Sequence, residues 1–102
     1  NALKFEKFIF DLLPAARKTL VVEVDPAEAF APVKNAPGAK TDSPEMVRAA
    51  ILAQHARLLR EAGVAVANGV EVEISPLFAG GAAELKQKLG PQVRFEKATY
   101  LR

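Results

Sequence analysis

Apolar residues recur at Phe5, Phe8, Ile9 and Leu12, the i, i+3, i+4, i+7 spacing of one helical face, so residues 3–13 are expected to form an amphipathic helix. Pro14 ends or kinks it, because proline has no amide hydrogen and clashes with the preceding turn. Residues 19–24, TLVVEV, are β-branched and mostly apolar, the profile of a strand buried on at least one face. Asp25-Pro26 then suits a short turn of helix capped by Asp25. The clearest element follows. Ser43 is a good N-cap, Pro44 fits the first helical position, Glu45 suits the positive end of the dipole, and Gly63 supplies the stop. Between them Val47, Ala50, Ile51, Gln54 and Leu58 form one stripe, with Leu52, Ala56 and Leu59 on an adjoining face, so this helix is expected to be covered on more than one side. Residues 70–74 alternate apolar and acidic, a strand with one wet face that Pro76 ends or places at an edge. Gly80-Gly81 punctuates, residues 82–89 form a short helix closed by Gly90-Pro91, and residues 93–101 return to a strand. The pattern gives a mixed α+β fold with no internal repeat.

Composition narrows the class. The chain has 102 residues, half of them hydrophobic and a quarter charged, which is globular composition and enough for one core. The formal charge is +2, and the first forty residues hold six basic and five acidic groups, with no block of either sign. Nucleic-acid binding through a basic face therefore has no support, since that mode needs clustered Lys and Arg. There is no cysteine, which removes disulfide and thiolate chemistry. No apolar run approaches the roughly 18 residues of a membrane helix, and no signal-peptide pattern opens the chain. A cytoplasmic protein without a membrane partner is the expectation. Asn1 stands where an initiator methionine would, so the chain reads as a processed chain or a fragment.

Few residues invite chemistry. His55 is the only histidine and lies on the long helix, where a surface or boundary role outweighs a catalytic one. No metal cluster, nucleophile and base pair, P-loop or GxGxxG is visible. Gly80-Gly81 reads as a loop before a helix. Two features stand out. Phe10 lies about 140° around the helical wheel from Phe5, off the main apolar face, and needs a partner of its own. Lys34 sits in FAPVKNAPGAK, residues 30–40, in which Pro32 stiffens one side and Ala36-Pro37-Gly38-Ala39 suits a type II turn. A lysine so held loses little further entropy on meeting a phosphate, although a solvated surface charge is the commoner role.

Four stretches, KFEKFIFDLLPAARKTLVVEV, FAPVKNA, DSPEMVRAAI on a helix and VEISPLFA, occur in the order and at the approximate spacing of the C-terminal part of the eukaryotic-type UDP-N-acetylglucosamine pyrophosphorylases, within the wider group of UDP-sugar and UTP-glucose-1-phosphate uridylyltransferases. The resemblance covers about residues 1–79, NALK at the start included. Its most specific part joins Glu6-Lys7-Phe8-Ile9-Phe10-Asp11 to Pro32-Val33-Lys34-Asn35. It implies a uridylyltransferase in which a sugar 1-phosphate attacks the α-phosphorus of UTP and releases pyrophosphate, with Mg2+. Lys34 matches a family lysine that approaches the substrate phosphates, and so takes a catalytic and a substrate-binding role. Phe8 and Phe10 match aromatics that line the sugar pocket near the N-acetyl group. The implied fold is a segment, residues 1–102, completing the sugar-phosphate side of a GT-A-like, Rossmann-type core and continuing into the start of the C-terminal region. The glycine-rich nucleotide loop and the metal-binding acid of the family are absent from this chain, and the connection from Gly63 to Val70 is short where animal members carry a long insertion. The resemblance therefore implies a compact bacterial relative represented by a C-terminal piece, inactive alone. The alternatives are a UTP-glucose-1-phosphate uridylyltransferase and a non-catalytic α+β binding or assembly module.

Overall fold

The computed structural model describes residues 2–6 and 8–102, and Asn1 and Lys7, which the family-like stretches include, lie outside the described residues. Its longest element is the helix anticipated after Ser43, here α2, Pro44–Glu61. The Ser43 hydroxyl accepts from the Met46 amide at 3.4 Å, Pro44 opens the first turn, and Gly63 leaves the helix with φ +78°, where a side chain would be strained. Before it stands α1, Pro26–Ala29, capped by Asp25, whose carboxylate accepts from the Ala27 amide at 2.9 Å. After it come β1 (Ala65–Val66), β2 (Val72–Ile74), α3 (Ala82–Leu89), β3 (Arg94–Phe95) and β4 (Thr99–Leu101).

The strands form two parallel pairs. β1 runs beside β3 with Ala65 opposite Arg94 and Val66 opposite Phe95, and β2 runs beside β4 with Val72, Glu73 and Ile74 opposite Thr99, Tyr100 and Leu101. Parallel partners need a crossover, and α3 lies in both crossovers. The residues expected to form one strand over 93–101 thus divide into β3 and β4, which belong to different pairs. β1 falls in the short connection after Gly63, a stretch too brief to carry any periodicity. The alternation in β2 is as expected: Val72 and Ile74 are buried, Glu73 is exposed.

The core lies where α2 and α3 meet these strands, with Leu59 and Leu85 fully enclosed and Ala62, Val64, Val72, Ile74 and Ala79 buried around them. Enclosing a leucine side chain contributes about 1.5–3 kcal/mol. From α2, Leu59 of one predicted stripe lies in this core and Leu58 of the other packs against it, while Ala50 and Ile51 remain exposed. The second stripe also meets α1 through Gln54, whose Nε2 donates to the Glu28 carbonyl at 2.8 Å.

The first quarter of the chain departs from expectation. A 3-10 helix, Ile9–Ala15, with Pro14 inside it, replaces the α-helix expected over 3–13. Pro14 cannot donate to the Phe10 carbonyl, and no buried residue anchors the turn, so the cooperative packing that stabilises an amphipathic helix is missing. Residues 19–24 form no regular element and pair with no strand, with Val21 93% exposed. Among the described residues none offers these backbone groups a ladder. The radius of gyration, 17.9 Å, exceeds the about 13 Å of a compact fold this size, as a strung-out N-terminal quarter requires.

Candidate functional site

The lysine loop is built on the N-terminus of α2. Its neck is closed by four hydrogen bonds: the Lys34 and Asn35 amides both donate to the Asp42 carbonyl, at 3.0 and 3.1 Å, and the Asn35 side-chain nitrogen donates to the Thr41 carbonyl at 2.8 Å and to its hydroxyl at 3.4 Å. Its tip is the expected turn: the Ala39 amide reaches the Ala36 carbonyl at 3.2 Å, and Gly38 takes φ +82° after Pro37. The tip is tied back to α2, because the Gly38 amide donates to Glu45 Oε2 at 3.3 Å. Hydrogen bonds from the Glu45 amide itself, the Ser43 hydroxyl and the Gly38 amide hold the Glu45 carboxyl below its usual range. Asp42 is the one non-glycine residue with positive φ among those described, at 51°. The loop's approach is fixed as well, since Glu28 on α1 pairs with Arg57 of α2 at 3.1 Å.

Lys34 is exposed at the base of this loop, and its ammonium makes no hydrogen bond or ion pair among the described residues. Phe8, which precedes the 3-10 helix, is 59% exposed, and Phe10, within it, is 66% exposed. Phe8 and Phe10 thus share one N-terminal surface segment, and Lys34 stands on another. No hydrogen bond or ion pair among the described residues joins 2–24 to the rest of the chain.

Two polar contacts escape sequence reasoning. The His55 ring accepts the Ile74 amide on Nδ1 at 3.1 Å, which ties α2 to β2 and makes the histidine a neutral structural acceptor. Burial pushes its pKa down, against an opposing pull from Glu73. Arg48 and Glu71 form a two-pronged ion pair at 2.8 and 3.2 Å on the same side of the helix. Neither has a local signature, since the partners are 19 and 23 positions apart. Gly80 and Gly81 lead into α3, as expected, with the Gly80 amide donating to Glu84 at 2.9 Å. Among the described residues no group of three or more His, Asp or Glu could hold a metal ion, and no helix is long and apolar enough to cross a membrane.

No family model matches the chain. Individual relatives do. It is 39% identical over 92 residues to the UDP-N-acetylglucosamine pyrophosphorylase of Saccharomyces cerevisiae, a match covering 88% of this chain and 19% of that protein. It is 45% identical over 80 residues to UDP-N-acetylglucosamine diphosphorylase 2 of Arabidopsis thaliana, covering 74% of the chain and 16% of the relative. It is 44% identical over 63 residues to the human UDP-N-acetylhexosamine pyrophosphorylase-like protein 1, covering 62% and 12%. These are eukaryotic proteins, and the chain spans a fifth of their length or less. The yeast match leaves about a dozen residues of this chain outside it, too few to exclude the lysine loop from either end. On that similarity the chain belongs to the family of the UDP-N-acetylglucosamine pyrophosphorylases.

Proposed function

We propose that the whole protein is a cytoplasmic uridylyltransferase with a GT-A-like, Rossmann-type core. It joins UTP and N-acetylglucosamine 1-phosphate to give UDP-N-acetylglucosamine and pyrophosphate. In this reaction a phosphate oxygen of the sugar 1-phosphate attacks the α-phosphorus of UTP, the bond from that phosphorus to the bridging oxygen breaks, and pyrophosphate leaves. Such transfers depend mainly on positioning and on stabilising the phosphate charge. The observation that carries the reading is the lysine loop: a stretch inside the family match whose neck is closed by hydrogen bonds to Thr41 and Asp42 and whose tip and approach are bonded to α2, with a lysine whose ammonium has no partner among the described residues. Lys34 supplies a positive charge held still against the phosphates. Phe8 and Phe10 supply apolar surface for the N-acetyl group. The Mg2+ such a reaction takes finds no ligand set among the described residues.

Lys34→Ala in the full-length protein tests this. Turnover, followed as pyrophosphate release, is expected to fall on the order of 100-fold to 1000-fold, the usual loss for one preorganised charge. The fold should persist, because the Lys34 side chain makes no hydrogen bond or ion pair among the described residues. Near-normal turnover would remove Lys34 from the site, and a preference for glucose 1-phosphate over N-acetylglucosamine 1-phosphate would reassign the sugar.

A further inference from the structure

A lysine at the base of a loop is only as well placed as the backbone beneath it. Here two consecutive amides, those of Lys34 and Asn35, converge on the single carbonyl of Asp42. A carbonyl has two lone pairs, so one acceptor can hold both donors provided the chain presents it at the right angle. Asp42 does so from a left-handed conformation, φ 51°, that aspartate tolerates and β-branched residues resist. Asn35 adds the cross-brace from the other strand of the neck to Thr41. Behind the neck is Ser43, 1% exposed and capping α2, so the acceptor is one residue away from a buried anchor.

We infer that Asn35 and Asp42 are positioning residues for Lys34: together they clamp the loop neck and set the place from which the ammonium meets the substrate phosphate. The Asp42 contribution is its backbone conformation, and the Asn35 contribution is its side-chain amide. The inference rests on the phosphate role proposed for Lys34. A misplacement near 1 Å at a reacting centre costs about 100-fold in rate, so a clamp that sits outside the chemistry can still govern it.

The test compares five variants of the full-length protein by steady-state kinetics and thermal unfolding: Lys34→Ala, Asn35→Ala, Asp42→Val, Asp42→Gly and the double variant Lys34→Ala with Asp42→Val. Asp42→Val resists the left-handed conformation and should lower kcat by about 100-fold, with Asn35→Ala losing about 10-fold. Asp42→Gly keeps positive φ without strain and should recover turnover to within about threefold, which a role for the Asp42 carboxylate would not allow. In the double variant Asp42→Val should add almost nothing to the loss from Lys34→Ala, because both act through one ammonium. Independent, multiplying losses would show that Asp42 acts only through general stability and would overturn the inference. So would equal losses from Asp42→Val and Asp42→Gly, or normal turnover in Asp42→Val beside an impaired Lys34→Ala. Normal turnover in Lys34→Ala sinks the phosphate role itself, and the clamp with it.

Discussion

Replacing His55 by leucine should loosen the contact between α2 and β2 by an amount the geometry sets. The Ile74 amide donates to His55 Nδ1 at 3.1 Å, and Ile74 is only 4% exposed, so water cannot readily replace the ring. A buried N–H left without an acceptor costs about 1–3 kcal/mol. At about 1.4 kcal/mol per factor of ten, local opening around Ile74 becomes about 5-fold to 150-fold more frequent. Amide hydrogen exchange of the peptide that carries Ile74, in the full-length protein, reads this directly. His55→Asn, which keeps a side-chain acceptor, should recover part of the protection. The pH dependence has a definite sign. Burial lowers the ring's pKa in the folded chain, so the stabilisation is complete above the ordinary histidine value near 6.5 and is lost as pH falls below it through the folded value. Protonation puts a hydrogen on the nitrogen that must accept. Equal protection in His55→Leu and the unaltered protein would refute the reasoning. So would wild-type protection that, corrected for intrinsic exchange, does not change from about pH 7.5 to about pH 5.

Two further outcomes follow from the backbone and the surface. Gly63→Ala meets no neighbouring atom within 4 Å yet must adopt φ +78°, so it should cost about 1 kcal/mol in thermal unfolding, with Gly63→Asn costing less. Phe10→Ala should broaden acceptance of sugar 1-phosphates with larger acyl groups in the full-length protein; unchanged selectivity between N-acetylglucosamine 1-phosphate and bulkier analogues would take Phe10 out of the sugar pocket.

What could be read from the chain divides along a physical line. Ser43, Pro44 and Gly63 mark α2 because capping and left-handed termini are set by neighbours within a few residues. The same holds for α3 and for the turn at Pro37-Gly38. The lysine loop was legible as a rigid turn, but its clamp was not, since Asn35 and Asp42 gain meaning only once the neck closes. The alternation of β2 was legible, but the pairing of β1 with β3 and of β2 with β4 was not, because periodicity reports which face of a strand is buried and not which strand lies beside it. The apolar pattern over residues 3–13 is real, yet a helical wheel describes a face without supplying what covers it. Without cover, Pro14 and the aromatic side chains leave a 3-10 turn. The roles proposed for Phe8, Phe10 and Lys34 rest on resemblance, and the structure adds to the lysine loop a mechanical frame that the resemblance does not contain.

The two parallel pairs also impose a timetable. β1 and β2 each wait for a partner roughly thirty residues later, and no hairpin exists among the described residues to close sooner. Contacts so distant along the chain are slow to form. On a ribosome adding about 5–20 residues per second, β2 spends on the order of seconds without the strand it pairs with before Leu101 can reach it. Val72 and Ile74 are uncovered for that interval unless α2 shields them first. The hydrogen bond that the Ile74 amide donates to His55 gives a helix already made one contact with which to hold that strand until its neighbour arrives.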